Sequence, residues 1–554
     1  MFAFVLCRLF FVQVVRGEEL QTKAIDQWTR EIPVVAERGV ITDRNGIVLA
    51  GNSDTYAVFV RKKAVKDKQS LAKTLAEILE LDEASVYDRL TKTKSGEVTI
   101  KKQVSKEKIN QIVSHGLDGV YYARDNSRVY PYNETLSSVI GFTSTDGRGQ
   151  SGLELYYDKY LKGKNGEILY ETDIVGIEID GGKTSFVPSV AGLNVKLTID
   201  YEIQQLCETA MTEAVEVHNA KKAEMLVLNP KTGEILAMCN KPSYNLNDVP
   251  RDNLELLNSL GRNGLVSDAY EPGSTFKILT ATANVEEYLK GNPKAFSTEH
   301  VFSSARYRII DGTRVKCWSN HSNGKHSGLN LGGALNNSCN PIFVDIALSL
   351  GKDTMYGYLE KFNYGSVTGI DFGGEAQGMV LPSASIKPSD LARISFGQTI
   401  AVTGLQLASA TACAINGGNY YSPYLVSEIY SEKGITAERI RPKLKGRAIS
   451  EKSSAIVREM LEKVVSEGSG KHAYIEGYRV GGKTGTAQKY ENGVIAQGKY
   501  VSSFVGFFPA NDPEYLALVI VDEPEGQYYG STVASPYAKS VFEGIIELKN
   551  IKPQ

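Results

Sequence analysis

Three short segments of this chain contain residues whose types and spacing could activate a serine. The segment YEPGSTFK places Ser274 three residues before Lys277. Further along, NNSCN contains Ser338 and Asn340, and GGKTGTAQ contains the run Lys483–Thr486. A spacing of three residues puts two side chains on one face of a helix. Lys277 could then accept the Ser274 proton if burial lowers the pKa of its amine, so the spacing predicts a serine nucleophile with a lysine base.

The other polar residues of these segments suit the remaining steps of an acyl transfer. Ser338 could relay the proton to the leaving group, and the Asn340 amide could hold a peptide carbonyl. Lys483 and the hydroxyls of Thr484 and Thr486 suit a substrate carboxylate. The glycine between these threonines lets a strand backbone approach the acyl group closely, and amides at the helix start could stabilise an oxyanion. The predicted catalytic residues are Ser274, Lys277, Ser338, Asn340, Lys483, Thr484, Gly485 and Thr486.

Metal-binding residue types are concentrated just before the second segment. The run CWSNHSNGKHSGLNLGGALNNSCN holds two of the six cysteines and two of the six histidines. Thiolate, imidazole and carboxylate ligands in sets of four are typical of zinc. The expected ligands are Cys317, His326 and Cys339, with Asp311 ahead of His321 as the fourth, because IIDGTRVKCW could form a hairpin that returns Asp311 towards Cys317. The zinc would be structural, since serine chemistry requires no cofactor.

Two other interpretations of this run stay open. A Cys317–Cys339 disulfide would be compatible with an oxidising compartment. Alternatively, Cys339 could be only a small residue between Ser338 and Asn340. The irregular spacing is weaker evidence for zinc than paired Cys-x-x-Cys motifs are.

The length and charge of the chain limit its class. A chain of 554 residues predicts two or three domains. A formal net charge of -2 provides no basic field for nucleic acid.

The first fifteen residues are apolar except Arg8 and Gln13. Because a spanning helix needs about 20 residues, we expect a short or trimmed membrane anchor over residues 1–16. A cleaved signal peptide is the alternative, although no small-x-small cleavage site follows.

The remaining chain divides into a shape-forming region, 17–190, and a region that carries the motifs, 191–554. In the first, RGVITDRNGIVLA predicts strand, turn and strand, and KQSLAKTLAEILEL, VSKEKINQIVSHGL and GLELYYDKYLKG have helical spacing. In the second, NVKLTID predicts a strand and YEIQQLCETAMTEAVEVHNA a helix. Two hairpins are predicted, in AEMLVLNPKTGEILAMCN and in SSFVGFFPANDPEYLALVIVDEP, before a C-terminal helix. We therefore expect an α/β (α+β) domain with one antiparallel sheet flanked by helices.

The ordered motifs resemble those of class B penicillin-binding proteins, in which Ser-x-x-Lys, a Ser-x-Asn triplet and Lys-Thr-Gly recur. RGVITDRNG, GQSGLELYYDKYLKGKNG, LTIDYEIQ, LNPKTGEILAM and FGQTIAVTGLQLASA also resemble blocks of that family, so the resemblance covers nearly the whole chain. The likeness is greatest to division and sporulation members. Thr399 and Gly404 depart from the residues that the family often has there, glycine and proline.

The resemblance implies a fold, an activity and partners. It implies an elongated mixed α/β pedestal, also called the dimerisation domain, before a transpeptidase domain with a helical subdomain. The activity would be cross-linking of peptidoglycan stem peptides by a D,D-transpeptidase that β-lactams acylate. Expected partners are the lipid-linked precursor, the membrane and a polytopic membrane glycosyltransferase. The catalytic domain would lie outside the cytoplasmic membrane.

Two functions of other classes remain alternatives. The chain could be mainly a structural scaffold for a membrane glycosyltransferase, because intact motifs do not prove turnover. It could also be a penicillin-sensing receptor, which would require several membrane spans and a cytoplasmic effector. The sequence contains neither of those features, so an active transpeptidase is favoured.

Overall fold

The computed structural model of the chain describes residues 2–20, 29–93, 95–171, 184–303, 305–321, 324, 326–491 and 494–553. The first helix, α1 (Phe2–Phe10), continues as a π-helical turn over Phe11–Val15, and none of the α1 residues is buried. Across these described ranges, no helix is both long enough and apolar enough to cross a membrane.

The pedestal region combines two sheets with short helices. Its strands are β1 (Thr29–Val34), β2 (Ile41–Thr42), β3 (Val48–Arg61), β4 (Glu97–Val104), β5 (Val120–Val129), β6 (Gly166–Glu171) and β7 (Thr184–Val187). Its helices are α2 (Lys68–Leu79), α3 (Glu83–Lys92), α4 (Lys106–Ser114), α5 (Ser137–Ile140), α6 (Gly152–Tyr156) and α7 (Asp158–Leu161). Asp67, Asp82 and Ser105 precede α2, α3 and α4, and their side chains accept hydrogen bonds from the first-turn amides.

The region that carries the motifs is built from many more elements. Its strands are β8 (Asn194–Leu197), β9 (Lys222–Leu228), β10 (Ile235–Lys241), β11 (Ala269–Tyr270), β12 (Tyr307–Ile310), β13 (Thr313–Lys316), β14 (Val402–Thr403), β15 (Asn419–Ser422), β16 (Val426–Tyr430), β17 (Thr436–Arg439), β18 (Lys443–Arg447), β19 (Gly481–Glu491), β20 (Val494–Phe508) and β21 (Tyr515–Asp522). Its helices are α8 (Tyr201–His218), α9 (Leu254–Gly261), α10 (Gly264–Ser267), α11 (Lys277–Leu289), α12 (Leu331–Asn336), α13 (Asn340–Leu350), α14 (Lys352–Lys361), α15 (Pro388–Ile394), α16 (Gly404–Ile415), α17 (Glu451–Ser466), α18 (Gly530–Val533) and α19 (Ser535–Leu548).

The central sheet of this region is antiparallel and has the order β10-β9-β21-β20-β19. Helices α8 and α19 pack on one face around a buried core that includes Cys207, Val519 and Phe542. The other face packs against α11 and α16 in the main core, which includes Phe276 and Leu405. Burial on both faces fits the continuous apolar runs of β9 and β21. The predicted antiparallel sheet between helices is confirmed.

The two regions share a second sheet. Its order is β17-β16-β8-β2-β3-β4, and β5 also pairs with β3, over β3 residues 51–60. Strand β2 runs parallel to β8, with Ile41 opposite Val195, and β8 pairs on its other side with β16. The pedestal and the motif-bearing region are therefore joined through backbone hydrogen bonds.

Most of the predicted elements are confirmed, including both hairpins (β9–β10 and β20–β21) and the helices α2, α4, α8 and α19. GLELYYDKYLKG differs, because Tyr157 separates two short helices, α6 and α7. The Asp158 carboxylate accepts hydrogen bonds from Arg38 and from the Gly149 amide. This tertiary contact accounts for the break in a segment whose spacing alone favours one helix.

Candidate active site

Ser274 lies at the start of the helix that carries Lys277. A 3-10 turn, Gly273–Phe276, contains Ser274 and leads directly into α11. Gly273 has a φ of 56°, and a Cβ there would meet the Thr486 carbonyl oxygen at 3.0 Å. Lys277 Nζ lies 3.0 Å from Ser274 Oγ. The predicted placement of the lysine one turn from the serine is therefore what the structure shows.

The Ser-x-Asn triplet follows α12 and ends on the first residue of α13. Ser338 has a left-handed backbone, with a φ of 52°, and its Oγ lies 2.9 Å from Lys277 Nζ. Lys277 also donates to the Ser338 carbonyl at 2.9 Å and to Asn340 Oδ1 at 2.6 Å. Asn340 is the first residue of α13, and its amide nitrogen donates to the Lys316 carbonyl. One lysine amine thus holds both polar residues of the triplet.

The third motif lies on β19, at the end of the central sheet. Lys483 Nζ donates to Ser338 Oγ at 3.1 Å and to the Thr484 carbonyl at 3.2 Å. Thr486 Oγ1 accepts from the Gly530 amide. A Cβ on Gly485 would meet Ser503 Oγ at 2.4 Å and the Pro272 carbonyl at 3.0 Å. The glycine therefore lets β19 pack closely against the turn that carries the nucleophile.

Both lysines are buried, and burial changes their protonation. Lys277 and Lys483 have no exposed surface. Burial lowers the pKa of Lys277 to about 8. Burial, and after it the charge of Lys277, lowers the pKa of Lys483 well below its ordinary value. Because a low-dielectric site disfavours two ammonium groups on one hydroxyl, the arrangement provides an amine that can accept a proton.

The cleft beside the nucleophile contains residues that the three motifs do not include. A cavity of about 110 Å³ is lined by Ser274, Ser338 and Thr484–Thr486, and also by Ser469, Trp318 and Tyr529. Trp318 and Tyr529 have their rings 6.4 Å apart, edge to face. Sequence reasoning missed these residues. Adjacency to Cys317 was the available signal for Trp318.

Four metal-binding side chains form a group next to Ser338. They are Cys317, His321, His326 and Cys339, and their ligand atoms all lie within 4.8 Å of one another. Cys317 Sγ is 4.0 Å from His326 Nδ1, and the rings of His321 and His326 stack at 4.2 Å. A hydrogen bond between the two thiols lowers the pKa of Cys317 and raises that of Cys339. The donor set fits zinc, whose bonds to sulfur and nitrogen are about 2.3 and 2.0 Å.

The structure places Asp311, the fourth ligand preferred from the sequence, outside this group. The hairpin β12–β13 does form, but Asp311 lies in its turn, since Ile310 pairs with Thr313. Cys317 lies at the opposite, open end, where its amide donates to the Arg306 carbonyl. The Asp311 carboxylate instead accepts from the Ser389 amide. His321, the alternative candidate, lies within the group instead.

The two departures from the family pattern do not change the site. Thr399 has a φ of 62°, a left-handed conformation that glycine adopts at less cost. Its amide donates to Glu271 Oε1 at 2.8 Å. Gly404 is the first residue of α16, and a Cβ there would meet Leu265 at 2.9 Å. Close packing accounts for the glycine.

Comparison with known proteins agrees with this geometry. Residues 224–543 match the family described as the penicillin-binding protein transpeptidase domain, and residues 33–197 match the penicillin-binding protein dimerisation domain. Stage V sporulation protein D of Bacillus subtilis is 38% identical over 99% of this chain and 84% of its own length. Peptidoglycan D,D-transpeptidase FtsI of Escherichia coli is 30% identical over 100% of this chain and 90% of its own length.

Solved structures show the same fold. A peptidoglycan synthetase from Bifidobacterium adolescentis has a TM-score of 0.76 and 24% identity over 95% of this chain and 98% of that one. Penicillin-binding protein 3 of Mycobacterium tuberculosis, in complex with aztreonam, has a TM-score of 0.72 and 23% identity over 94% and 98%. With the family matches and the full-length relatives, these likenesses establish that the chain belongs to the penicillin-binding proteins, with a transpeptidase domain that follows a dimerisation domain.

Proposed function

We propose that this chain cross-links peptidoglycan stem peptides through an acyl-enzyme on Ser274. The observation that carries the assignment is the buried Lys277 amine, 3.0 Å from Ser274 Oγ, with a pKa lowered to about 8. Four oxygens lie within hydrogen-bond distance of this nitrogen, whereas an ammonium group has only three protons to donate. The neutral amine has two carbonyl acceptors for its hydrogens, from Ser338 and Asn340, and its lone pair remains for a hydroxyl proton.

The reaction then follows from the positions of these groups. Lys277 takes the hydroxyl proton as Ser274 Oγ attacks the carbonyl between the two terminal D-Ala residues of the donor. The amide C–N bond breaks, and a proton relayed through Ser338 leaves with the terminal D-Ala. The amine of a second stem peptide then attacks the ester carbonyl and loses a proton to Lys277, and that proton passes to Ser274 Oγ as the ester bond breaks. Lys483, Thr484 and Thr486 would hold the donor carboxylate, while the Asn340 amide would hold a peptide carbonyl.

Covalent labelling by a fluorescent penicillin tests this assignment. Ser274→Ala should abolish labelling without changing the melting temperature, because a small hydroxyl at a partly exposed position contributes little to packing. Ser383→Ala, in a turn outside the cleft, is the matched control and should label as the wild type does. Stoichiometric labelling of Ser274→Ala would contradict the proposal.

We also propose that Cys317, His321, His326 and Cys339 hold a structural zinc ion. In a tetrahedral site, such ligand atoms would lie about 3.3–3.8 Å apart, so the group would contract by about 1 Å. Both thiols and His326 are buried. Cys339 is flanked by Ser338 and Asn340, so a bound metal would stabilise the loop against the base of the cleft. Four protein ligands leave no open position, and the metal takes no part in the acyl transfer.

Metal analysis of the purified protein should find about one zinc per chain. Cys317→Ser should lose both the zinc and part of the thermal stability, whereas Cys207→Ser, at another buried thiol, should retain the metal. Thiol titration distinguishes the alternatives. A metal-free protein with Cys317 and Cys339 unreactive until reduction would be a disulfide form, and a metal-free protein with both thiols titrating would contain neither bond.

We further propose a location and a membrane partner for the enzyme. The apolar segment that includes α1 would anchor the chain in the cytoplasmic membrane, with the transpeptidase domain on the outer side, where it would meet stem peptides and the lipid-linked precursor. A polytopic membrane glycosyltransferase would then supply the strands to be cross-linked. The resemblance to division and sporulation members supports this arrangement. Cross-linking in cells through cysteines placed near residue 17 would test the partner.

A further inference from the structure

A second pocket lies where the pedestal meets the motif-bearing region. Its volume is about 370 Å³, within the range of about 300–1,000 Å³ that small-molecule sites occupy. The pedestal lines it through α5 and α6, and the motif-bearing region lines it through the chain around α9 and α10 and through residues 372–374. None of its described lining residues is one of the catalytic residues named above. Domain interfaces are a preferred place for ligand sites.

Two aromatic side chains line this pocket from opposite sides of the domain boundary. They are Tyr156 of α6 and Phe372. Their sequence neighbours are joined, since Tyr157 Oη donates to Asp371 Oδ2 at 2.8 Å. The Asp371 carboxylate also accepts from two backbone amides at the start of β16. The two aromatic residues are therefore held in place by their neighbours, while Tyr156 itself is 47% exposed and can contact a ligand.

One buried polar atom at the pocket has no hydrogen-bond partner in the described part of the chain. Asn263 lines the pocket and is 4% exposed, and its Oδ1 accepts no hydrogen bond there. Its Nδ2 donates to Met238 Sδ at 2.9 Å, and its side chain makes no cap bond to α10, which it precedes. Because a buried acceptor without a donor is costly and rare in native structures, a ligand that carries an N–H group would suit this position.

The charge of the pocket favours a neutral ligand. Arg262 is the one charged side chain among the described lining residues. Its guanidinium is already paired with the Asp268 carboxylate and donates to the Ser267 carbonyl at 2.8 Å. An anion would therefore compete with Asp268 for its only cation. The pocket suits a neutral molecule with an apolar face for Tyr156 and an amide for Asn263.

We propose that this pocket binds an N-acetylated amino sugar of a glycan strand, with the acetamido N–H donating to Asn263 Oδ1 and the sugar ring packed on Tyr156. The C–H groups of a pyranose form an apolar face that packs on an aromatic ring. The choice of an amino sugar rests on the proposed peptidoglycan function, because the glycan of peptidoglycan consists of N-acetylated amino sugars. The site itself is additional to that function, since its residues take no part in the acyl transfer.

Saturation-transfer NMR with two disaccharides tests the site. N,N′-Diacetylchitobiose carries two acetamido groups, and cellobiose has the same linkage with hydroxyls in their place. The first should bind the wild type in the millimolar range, and cellobiose about tenfold more weakly, because it leaves the buried acceptor without its partner. Binding should persist in protein fully acylated by benzylpenicillin, since this pocket and the serine cleft share no lining residue.

Variants of the two contact residues separate their contributions. Tyr156→Ala should weaken the binding of both disaccharides about tenfold, through loss of the ring contact. Tyr474→Ala, at a tyrosine that is 46% exposed and does not line the pocket, is the matched control. Asn263→Ala should remove the preference for the acetylated sugar. If this variant does not fold, the comparison of Tyr156→Ala with Tyr474→Ala still decides. Penicillin labelling should stay at the wild-type rate in Tyr156→Ala and Asn263→Ala.

The outcomes also distinguish this proposal from the function on which it rests. A wild type that penicillin acylates but that binds neither disaccharide would overturn the sugar site alone. Equal binding of the two disaccharides, or unchanged binding in Tyr156→Ala, would overturn it as well. A wild type that penicillin does not acylate would instead contradict the acyl-enzyme assignment, whichever sugar binds.

Discussion

Two lysine amines share one hydroxyl at this site, and that shared contact governs how the residues act. Ser338 Oγ lies 2.9 Å from Lys277 Nζ and 3.1 Å from Lys483 Nζ. Both amines are buried, so ammonium on either one disfavours it on the other. The hydroxyl between them can pass a proton in either direction. We therefore expect the two lysines to have different tasks. Lys277 would accept a proton from the nucleophile, and Lys483 would bind the carboxylate of the substrate.

The pH dependence of acylation follows from the Lys277 amine. In the proposed mechanism its neutral form is the base, and burial lowers its pKa to about 8, so the neutral fraction grows as pH rises. The acylation rate constant should therefore rise through pH 8 and then level off. Stopped-flow labelling of the wild type across this range measures the midpoint. Lys277→Ala should lose most of the rate together with the pH-dependent limb, and a wild-type rate that stays flat would assign the base elsewhere.

Lys483 should respond to the substrate carboxylate. Burial keeps its pKa well below the ordinary value, and an arriving carboxylate would favour the ammonium form. Lys483→Ala should thus weaken the pre-acylation complex and lower the limiting rate together. Lys471→Ala, at an exposed lysine in a nearby turn, should change neither. A Lys483→Ala variant with wild-type affinity would show that the carboxylate is bound by other groups.

At the residue scale, the sequence predicts contacts that local spacing fixes. Ser274 and Lys277 are three apart, and helical geometry alone brings them together. The four side chains grouped around Cys317 were predicted less well, because the position of Asp311 depends on which end of the β12–β13 hairpin meets Cys317. The contact between Trp318 and Tyr529 could not be predicted. Tyr529 lies in a loop after β21 and reaches the same cavity only through the fold.

At the element scale, β19 carries the third motif and must pack closely against the 3-10 turn that holds the nucleophile. Gly485→Ala should disturb that packing, because its Cβ would lie 2.4 Å from Ser503 Oγ. Overpacking of this kind costs about 1–3 kcal/mol. Thermal unfolding and labelling rate should both report the change. Gly446→Ala on β18, where a Cβ would meet nothing within 4 Å, is the matched control. Equal stability of the two variants would contradict the account.

The predictability of an element depends on how local its determinants are. Strand β9, strand β10 and helix α8 follow from apolar patterning and turn residues. The break between α6 and α7 does not, since it depends on Arg38, which is distant in sequence from Asp158. The shared sheet was also not predicted, because the pairing of β2 with β8 is a long-range contact between two segments that each resemble ordinary short strands.

At the scale of the whole molecule, the N-terminal helix contributes little to the folded domains. None of the α1 residues is buried, and the active-site residues all lie from Ser274 onwards. Deletion of residues 1–16 should therefore leave the penicillin-labelling rate and the melting temperature unchanged. If the segment is an anchor, the deletion should also move the protein from the membrane fraction to the supernatant. Loss of labelling in a folded deletion variant would show that the helix packs on the catalytic region.

The pairing of Ile41 with Val195 has a consequence for how the protein can be made and divided. During synthesis, β2 leaves the ribosome long before β8, and β8 in turn waits for β16. Until its partner has been synthesised, β2 or β8 has an edge of unpaired backbone N–H and C=O groups, which can pair with a strand of another chain. Cutting the gene between residues 190 and 191, before β8, would make that edge permanent, so an isolated half that begins there should aggregate unless β2 is supplied with it. The sheet of the pedestal is therefore complete only after β8 and β16 of the motif-bearing region have been synthesised.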